Sequence, residues 1–104
     1  MEVSHKIEGE VLIISLAGEM DHHNLIDVKT RVDPLIIEYR PKLLILDLSK
    51  VPFCDSSGIA AVIGRFKLTR SLGCQTVLYG LTEQVRKVLS LGGVFNLVRE
   101  VVKR

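Results

Sequence analysis

Leu43-Leu44-Ile45-Leu46-Asp47-Leu48, leading through Val51-Pro52-Phe53-Cys54 into Asp55-Ser56-Ser57-Gly58, is the stretch whose reading decides the fold. Its first half is an apolar run of strand length, and such a run reads as a central strand covered on both faces. After Gly58 the period changes. Ile59, Val62, Ile63 and Phe66 recur at helical spacing as a buried side, with Arg65, Lys67 and Arg70 pointing outward. Gly73 closes that helix as a left-handed cap. Strand, polar loop and helix follow one another here without a linker.

The pattern repeats in both directions. Downstream, Gln75 to Tyr79 reads as a strand, and Thr82 caps a helix carrying Val85, Val88 and Leu89 that Gly92-Gly93 ends. Phe95 to Val102 supplies a last strand. Upstream, Val3 to Ile7 and Val11 to Ala17 pair as a hairpin about Glu8-Gly9, the second again apolar enough to be covered on both faces. The polar loop Gly18 to His23 follows. Asn24 then caps a helix with Leu25, Val28, Val32, Leu35 and Ile36 inward. Pro34 removes a helical N–H, so a kink or a restart is expected there. The order is ββαβαβαβ, an α/β fold with a mixed, mostly parallel sheet.

Composition bounds what such a fold can do. One hundred and four residues make one domain, 1–104, which buries roughly two-thirds of its unfolded surface. The hydrophobic share is 47%, with three Phe, two Tyr and no Trp, so the core is aliphatic. Fourteen basic against twelve acidic residues give a net charge of +2, too little for a nucleic-acid footprint. Arg86, Lys87, Arg99, Lys103 and Arg104 near the end read as solvated surface. Cys54 and Cys74 form neither a disulfide framework nor a metal motif and read as small buried residues. The N-terminal residues lack a signal peptide, and the apolar run Val11 to Ala17 is far short of a membrane span. A cytoplasmic protein with no membrane contact is expected.

In open α/β sheets, function gathers at the carboxyl ends of the strands. Two polar loops fall there, Glu19 to His23 and Asp55 to Gly58. The second has two readings: a helix N-terminus, since Asp and Ser are favoured caps, or a phosphoacceptor serine where the helix end tolerates phosphate. The motif alone favours the cap. Adjacent His22 and His23 lack the one-turn spacing of helical metal ligands, so no metal site is expected. Ser56 or Ser57 with His22 or His23 is no convincing hydrolase, because Cys54 stands where the nucleophile elbow needs glycine. No nucleotide-binding motif is present, so no cofactor is assigned.

Gly18-Glu19-Met20-Asp21-His22-His23, Phe53-Cys54-Asp55-Ser56-Ser57-Gly58-Ile59 and Val62-Ile63-Gly64-Arg65-Phe66-Lys67 together resemble bacterial anti-sigma-factor antagonists of the sporulation sigma-F type. The likeness continues through Val85-Arg86-Lys87-Val88-Leu89 and Gly93-Val94-Phe95. It implies a single STAS domain and a partner-switching, non-enzymatic regulator. In that family the unphosphorylated antagonist binds an anti-sigma serine kinase and so frees the sigma factor. Phosphorylation, here at Ser56, breaks the complex, and a serine phosphatase of the metal-dependent class restores it. The resemblance further implies Glu19, Asp21, Ser57, Gly58 and Ile59 as partner contacts, Asp21 helping to align Ser56. Gly58 would then be small so that a partner can approach the backbone. A phosphorylation-independent STAS scaffold is the alternative. Two departures are Pro34 within the first helix and the end of the sequence at Arg104, where sporulation-type relatives add a C-terminal helix. They make a general-stress or other paralogue as compatible with the sequence as the sporulation antagonist itself.

Overall fold

Gly9 and Glu10 turn the chain between two seven-residue strands, β1 (Glu2–Glu8) and β2 (Val11–Ala17), which pair antiparallel from Glu2↔Ala17 to Glu8↔Val11. The computed structural model describes residues 1–102, so Lys103 and Arg104 lie outside it. Every later strand is parallel to its neighbour: β3 (Leu43–Lys50) beside β2, β4 (Gln75–Tyr79) beside β3, and β5 (Arg99–Val101) beside β4. The sheet order is β1-β2-β3-β4-β5. Helices α1 (Leu25–Tyr39), α2 (Ser56–Ser71) and α3 (Glu83–Leu91) make the connections. This is the α/β order anticipated from the sequence.

Alternation along the strands divides the apolar residues between two faces. Leu12, Ile14, Leu16, Leu44, Leu46, Leu48 and Leu78 share the main core with Val28, Val32 and Ile36 of α1, Ala61 and Val62 of α2, and Val85 and Leu89 of α3. Full burial of each of these Leu, Ile and Val side chains contributes about 1.5–3 kcal/mol. Ile13, Ile45 and Val77 form a second cluster with Val11, Leu43, Tyr79 and Val101, all from strands. The expected cover on both faces of β2 and β3 is therefore corrected. Among the described residues, helices pack on one face, and on the other the central side chains bury one another along the rows of the sheet.

Three further expectations change. Helix α1 runs unbroken through Pro34 instead of kinking or restarting. Pro34 and Thr30, whose carbonyl the proline leaves without a helical donor, are both exposed, so water can serve that carbonyl. The last strand is three residues, not eight. Val94–Asn96 forms a 3₁₀ turn, with Leu97 N–H and Val98 N–H both donating to the Val94 carbonyl, which consumes the donors a strand would need. Asn96 and Leu97 are both exposed between buried Val94 and Val98, whereas a strand would turn Asn96 to the same face as the two valines.

The third correction concerns Arg65, which points inward. The buried stripe of α2 is Gly58, Ala61, Val62, Arg65 and Thr69, rotated from the expected one, and Ile59, Ile63 and Phe66 are half-buried. Arg65 Nε stands 2.8 Å from Asp33 Oδ1 of α1, with side-chain exposures of 7% and 19%. Neither atom, nor Arg65 Nη1, completes a hydrogen bond among the described residues. Burial pushes the Asp33 carboxyl up against the opposing pull of Arg65 and Lys29, and pushes the Arg65 guanidinium down against Asp33. Both shifts mark desolvation, a cost that the 2.8 Å contact has to offset, so breaking the pair should cost more than the intact pair contributes. Arg65→Met, which strands the Asp33 carboxylate, should lower unfolding stability in urea by about 3 kcal/mol. Arg65→Met with Asp33→Leu should recover most of that loss.

Candidate functional site

Beyond the carboxyl ends of β2 and β3 the two polar loops are held together by their backbones. The pairing of β2 with β3 slips between Ser15 and Ala17. Gly18 N–H then donates to the Lys50 carbonyl at 3.1 Å, Met20 N–H to the Phe53 carbonyl at 2.9 Å, and Asp55 N–H to the Met20 carbonyl at 3.3 Å. Met20 and Cys54 thus form an isolated parallel bridge. The segments containing Glu19, Asp21 and Ser56 share one edge of the sheet because this bridge extends it.

Asp55 has the extended backbone of an N-cap, and its Oδ1 accepts the Ser57 N–H at 2.7 Å. The cap reading of the motif is therefore correct. Capping also sets the exposure of both serines: Ser56 becomes the first residue of α2 and is exposed, while Ser57 is half-buried. Gly58 is buried beneath them. A Cβ at Gly58 would lie 2.8 Å from Cys54 Cβ and 3.1 Å from both Cys54 Sγ and Met20 Cε. Inward packing against the bridge therefore requires glycine here on its own account. Burial pushes the Cys54 thiol up and Asp55 adds to the shift, so Cys54 is a neutral packing group.

The start of α3 closes the other flank. Gln84 Oε1 accepts the Cys54 N–H and Gln84 Nε2 donates to the Cys54 carbonyl, both at 3.0 Å. Ile59 lies against the end of the same helix, where a Cβ on Gly92 would come within 2.5 Å of Ile59 Cδ1. Across the bridge, Asp21 Oδ1 accepts the Asn24 N–H at 3.0 Å and Asn24 Nδ2 donates to the Glu19 carbonyl at 2.6 Å. Asn24 holds the N-cap position of α1 but makes no side-chain cap, because its amide ties down the loop instead. His22 and His23 are exposed, their rings 6.3 Å apart edge to face. Among the described residues no group of three or more His, Cys, Asp or Glu could hold a metal ion. A groove of about 530 Å³ lined by His22, Leu25, Ile26, Lys29, Ala60 and Arg65 adjoins the loops.

The STAS domain family profile matches residues 2–103. The chain belongs to the STAS domain family. Over 88 residues, 85% of this chain and 75% of the relative, it is 32% identical to the anti-sigma F factor antagonist of Paenibacillus polymyxa. Identity to the anti-sigma-B factor antagonist of Listeria monocytogenes is 27% over 85 residues, 82% of this chain and 74% of the relative. Among solved structures, SpoIIAA in its unphosphorylated form superposes with a TM-score of 0.80 at 24% identity, covering 98% of this chain and 90% of that one. STAS anti-sigma antagonists are non-enzymatic regulators. No helix among the described residues is long and apolar enough to cross a membrane.

Within this STAS domain the bridge brings together the segments carrying all the residues singled out from sequence: Glu19 and Asp21 on one strand of it, Ser56, Ser57, Gly58 and Ile59 following the other. Sequence reasoning missed Gln84. The available signal was positional, since α3 also begins beyond a strand's carboxyl end, that of β4. Gly58→Ala should cost about 1–3 kcal/mol in chemical denaturation, because the added methyl must displace Cys54 or Met20 in a packed site.

Proposed function

We propose that this STAS domain is an anti-sigma-factor antagonist whose binding to an anti-sigma serine kinase is switched off by phosphorylation of Ser56. The observation that carries the reading is an exposed serine at the first position of α2, beside its Asp55 cap and fixed by the Met20–Cys54 bridge. The curated relatives bear the name of anti-sigma factor antagonists. In the reaction, Ser56 Oγ attacks the γ-phosphorus of ATP bound to the kinase. The Oγ–P bond forms as the bond to the ADP oxygen breaks, and the hydroxyl proton passes to a base on the kinase. A metal-dependent serine phosphatase returns the serine by hydrolysis. ATP and metal belong to those partners, which place the protein in the cytoplasm.

Charge explains why a phosphate would release the partner. Phosphoserine carries about −1.5 to −2 charges. It would stand next to Asp55, with Glu19 and Asp21 on the loop across the bridge. The N-terminus of α2 offsets only about 0.3–1 kcal/mol of that repulsion. Glu19, Asp21 and Ser57 are the proposed polar contacts, with Asp21 aligning Ser56 for transfer. Gly58 and Ile59 complete the proposed contact set, Gly58 also packing against Cys54 and Ile59 against the end of α3.

Intact-mass analysis with peptide mapping, after incubation with ATP and an anti-sigma kinase from the same genome, tests the reading. One phosphate on Ser56, absent from Ser56→Ala, is expected. An unmodified protein, recovered from a kinase that phosphorylates its other substrates, would favour a phosphorylation-independent scaffold module.

A further inference from the structure

We propose that Gln84 is a positioning residue for the Ser56 turn, its side-chain amide standing in for the next strand beside Cys54. The role rests on the reading of Ser56 as phosphoacceptor; the clamp itself does not. Residues 53–55 leave β3 as extended chain and must stop with Ser56 in one place. On one side the Met20 backbone supplies a donor to Phe53 and an acceptor to Asp55. On the other side the sheet offers Cys54 no strand, since β4 ends at Tyr79. Gln84 fills that place with both groups a strand would offer, an acceptor for the Cys54 N–H and a donor for its carbonyl, each at 3.0 Å. A planar primary amide can do this because it presents a donor and an acceptor side by side, as a peptide group does.

The clamp is anchored at its far end. Thr82 Oγ1 caps α3 by accepting the Val85 N–H at 3.3 Å, and Val85 and Leu89 are fully buried, so Gln84 projects from a seated helix. Arg86 holds the same turn to β5 through two 2.8 Å bonds to Glu100, and to the Leu81 carbonyl at 3.1 Å. Asp55, one residue beyond the clamped Cys54, sets the first turn of α2, so any shift at Cys54 moves Ser56 with it.

Gln84→Met keeps the length of the side chain and removes both bonds; Gln84→Glu keeps the acceptor and, when ionised, loses the donor. Amide hydrogen exchange at Cys54 should quicken by about tenfold or more in Gln84→Met, where the donor's partner is gone. With the anti-sigma kinase and ATP, kcat for Ser56 should fall by about tenfold with KM nearly unchanged, because a turn held in the wrong place binds but misaligns. Gln84→Glu, which when ionised sets a carboxylate oxygen against the Cys54 carbonyl, should lose at least as much kcat as Gln84→Met. Unchanged Cys54 exchange in Gln84→Met would overturn the clamp. Rapid exchange with unaltered kcat would overturn the positioning role. Failure of the wild-type protein to be phosphorylated would remove the functional reading and the positioning role together, and Cys54 exchange would then decide the clamp alone.

Discussion

The backbone bridge between Met20 and Cys54 is the constraint on which the functional edge depends. Without it, the loop after β2 and the loop after β3 would be separate surface segments. Three backbone hydrogen bonds from Gly18, Met20 and Asp55 bind them into one surface. Loops ordinarily trade rigidity for variability, and here the surface gains definition because it is built as a continuation of the sheet. The side chains beneath agree with that design. Met20 and Cys54 are buried, and Gly58 is small enough to let α2 begin directly above them.

At the same edge, the proposed phosphorylation would act locally. Ser56 lies outside the packed core, on a turn whose cap, Asp55, already satisfies the Ser57 N–H. A phosphate there meets negative neighbours and a weakly favourable helix end, and it displaces no buried side chain. The main core beneath remains a continuous aliphatic layer between sheet and helices. In the proposed reading, binding would be switched by surface charge while the domain keeps its fold.

How much of this is legible in the sequence divides by distance along the chain. The β1–β2 hairpin, the central strand β3 and the caps at Asp55 and Thr82 are readable because each depends on neighbouring residues. Arg65 defeats a local reading because an arginine between apolar positions defaults to solvent; only Asp33 on another helix turns it inward. The clamp by Gln84 is invisible because its partner lies 30 residues away and carries the contact on its backbone, not its side chain. Pro34 signals a break by its own chemistry, and its exposure makes the continuous helix tolerable. The last strand is shorter than its apolarity suggests, because Phe95 to Val102 suits a strand while Gly93 starts a turn at φ +74°. The capped turn at Asp55 that presents Ser56 is visible from local chemistry, whereas the proposed phosphoacceptor role of Ser56 comes from resemblance.

The central claim is that a phosphate on Ser56 blocks a preformed surface without remodelling the domain. The most direct measurement compares backbone amide NMR spectra of the unmodified and Ser56-phosphorylated protein. Shifts confined to residues 18–24 and 53–60 and to the start of α3, with the core strands unmoved, are predicted. Widespread changes through β3, β4 and α1 would contradict the account, because phosphate would then act by rearranging the fold.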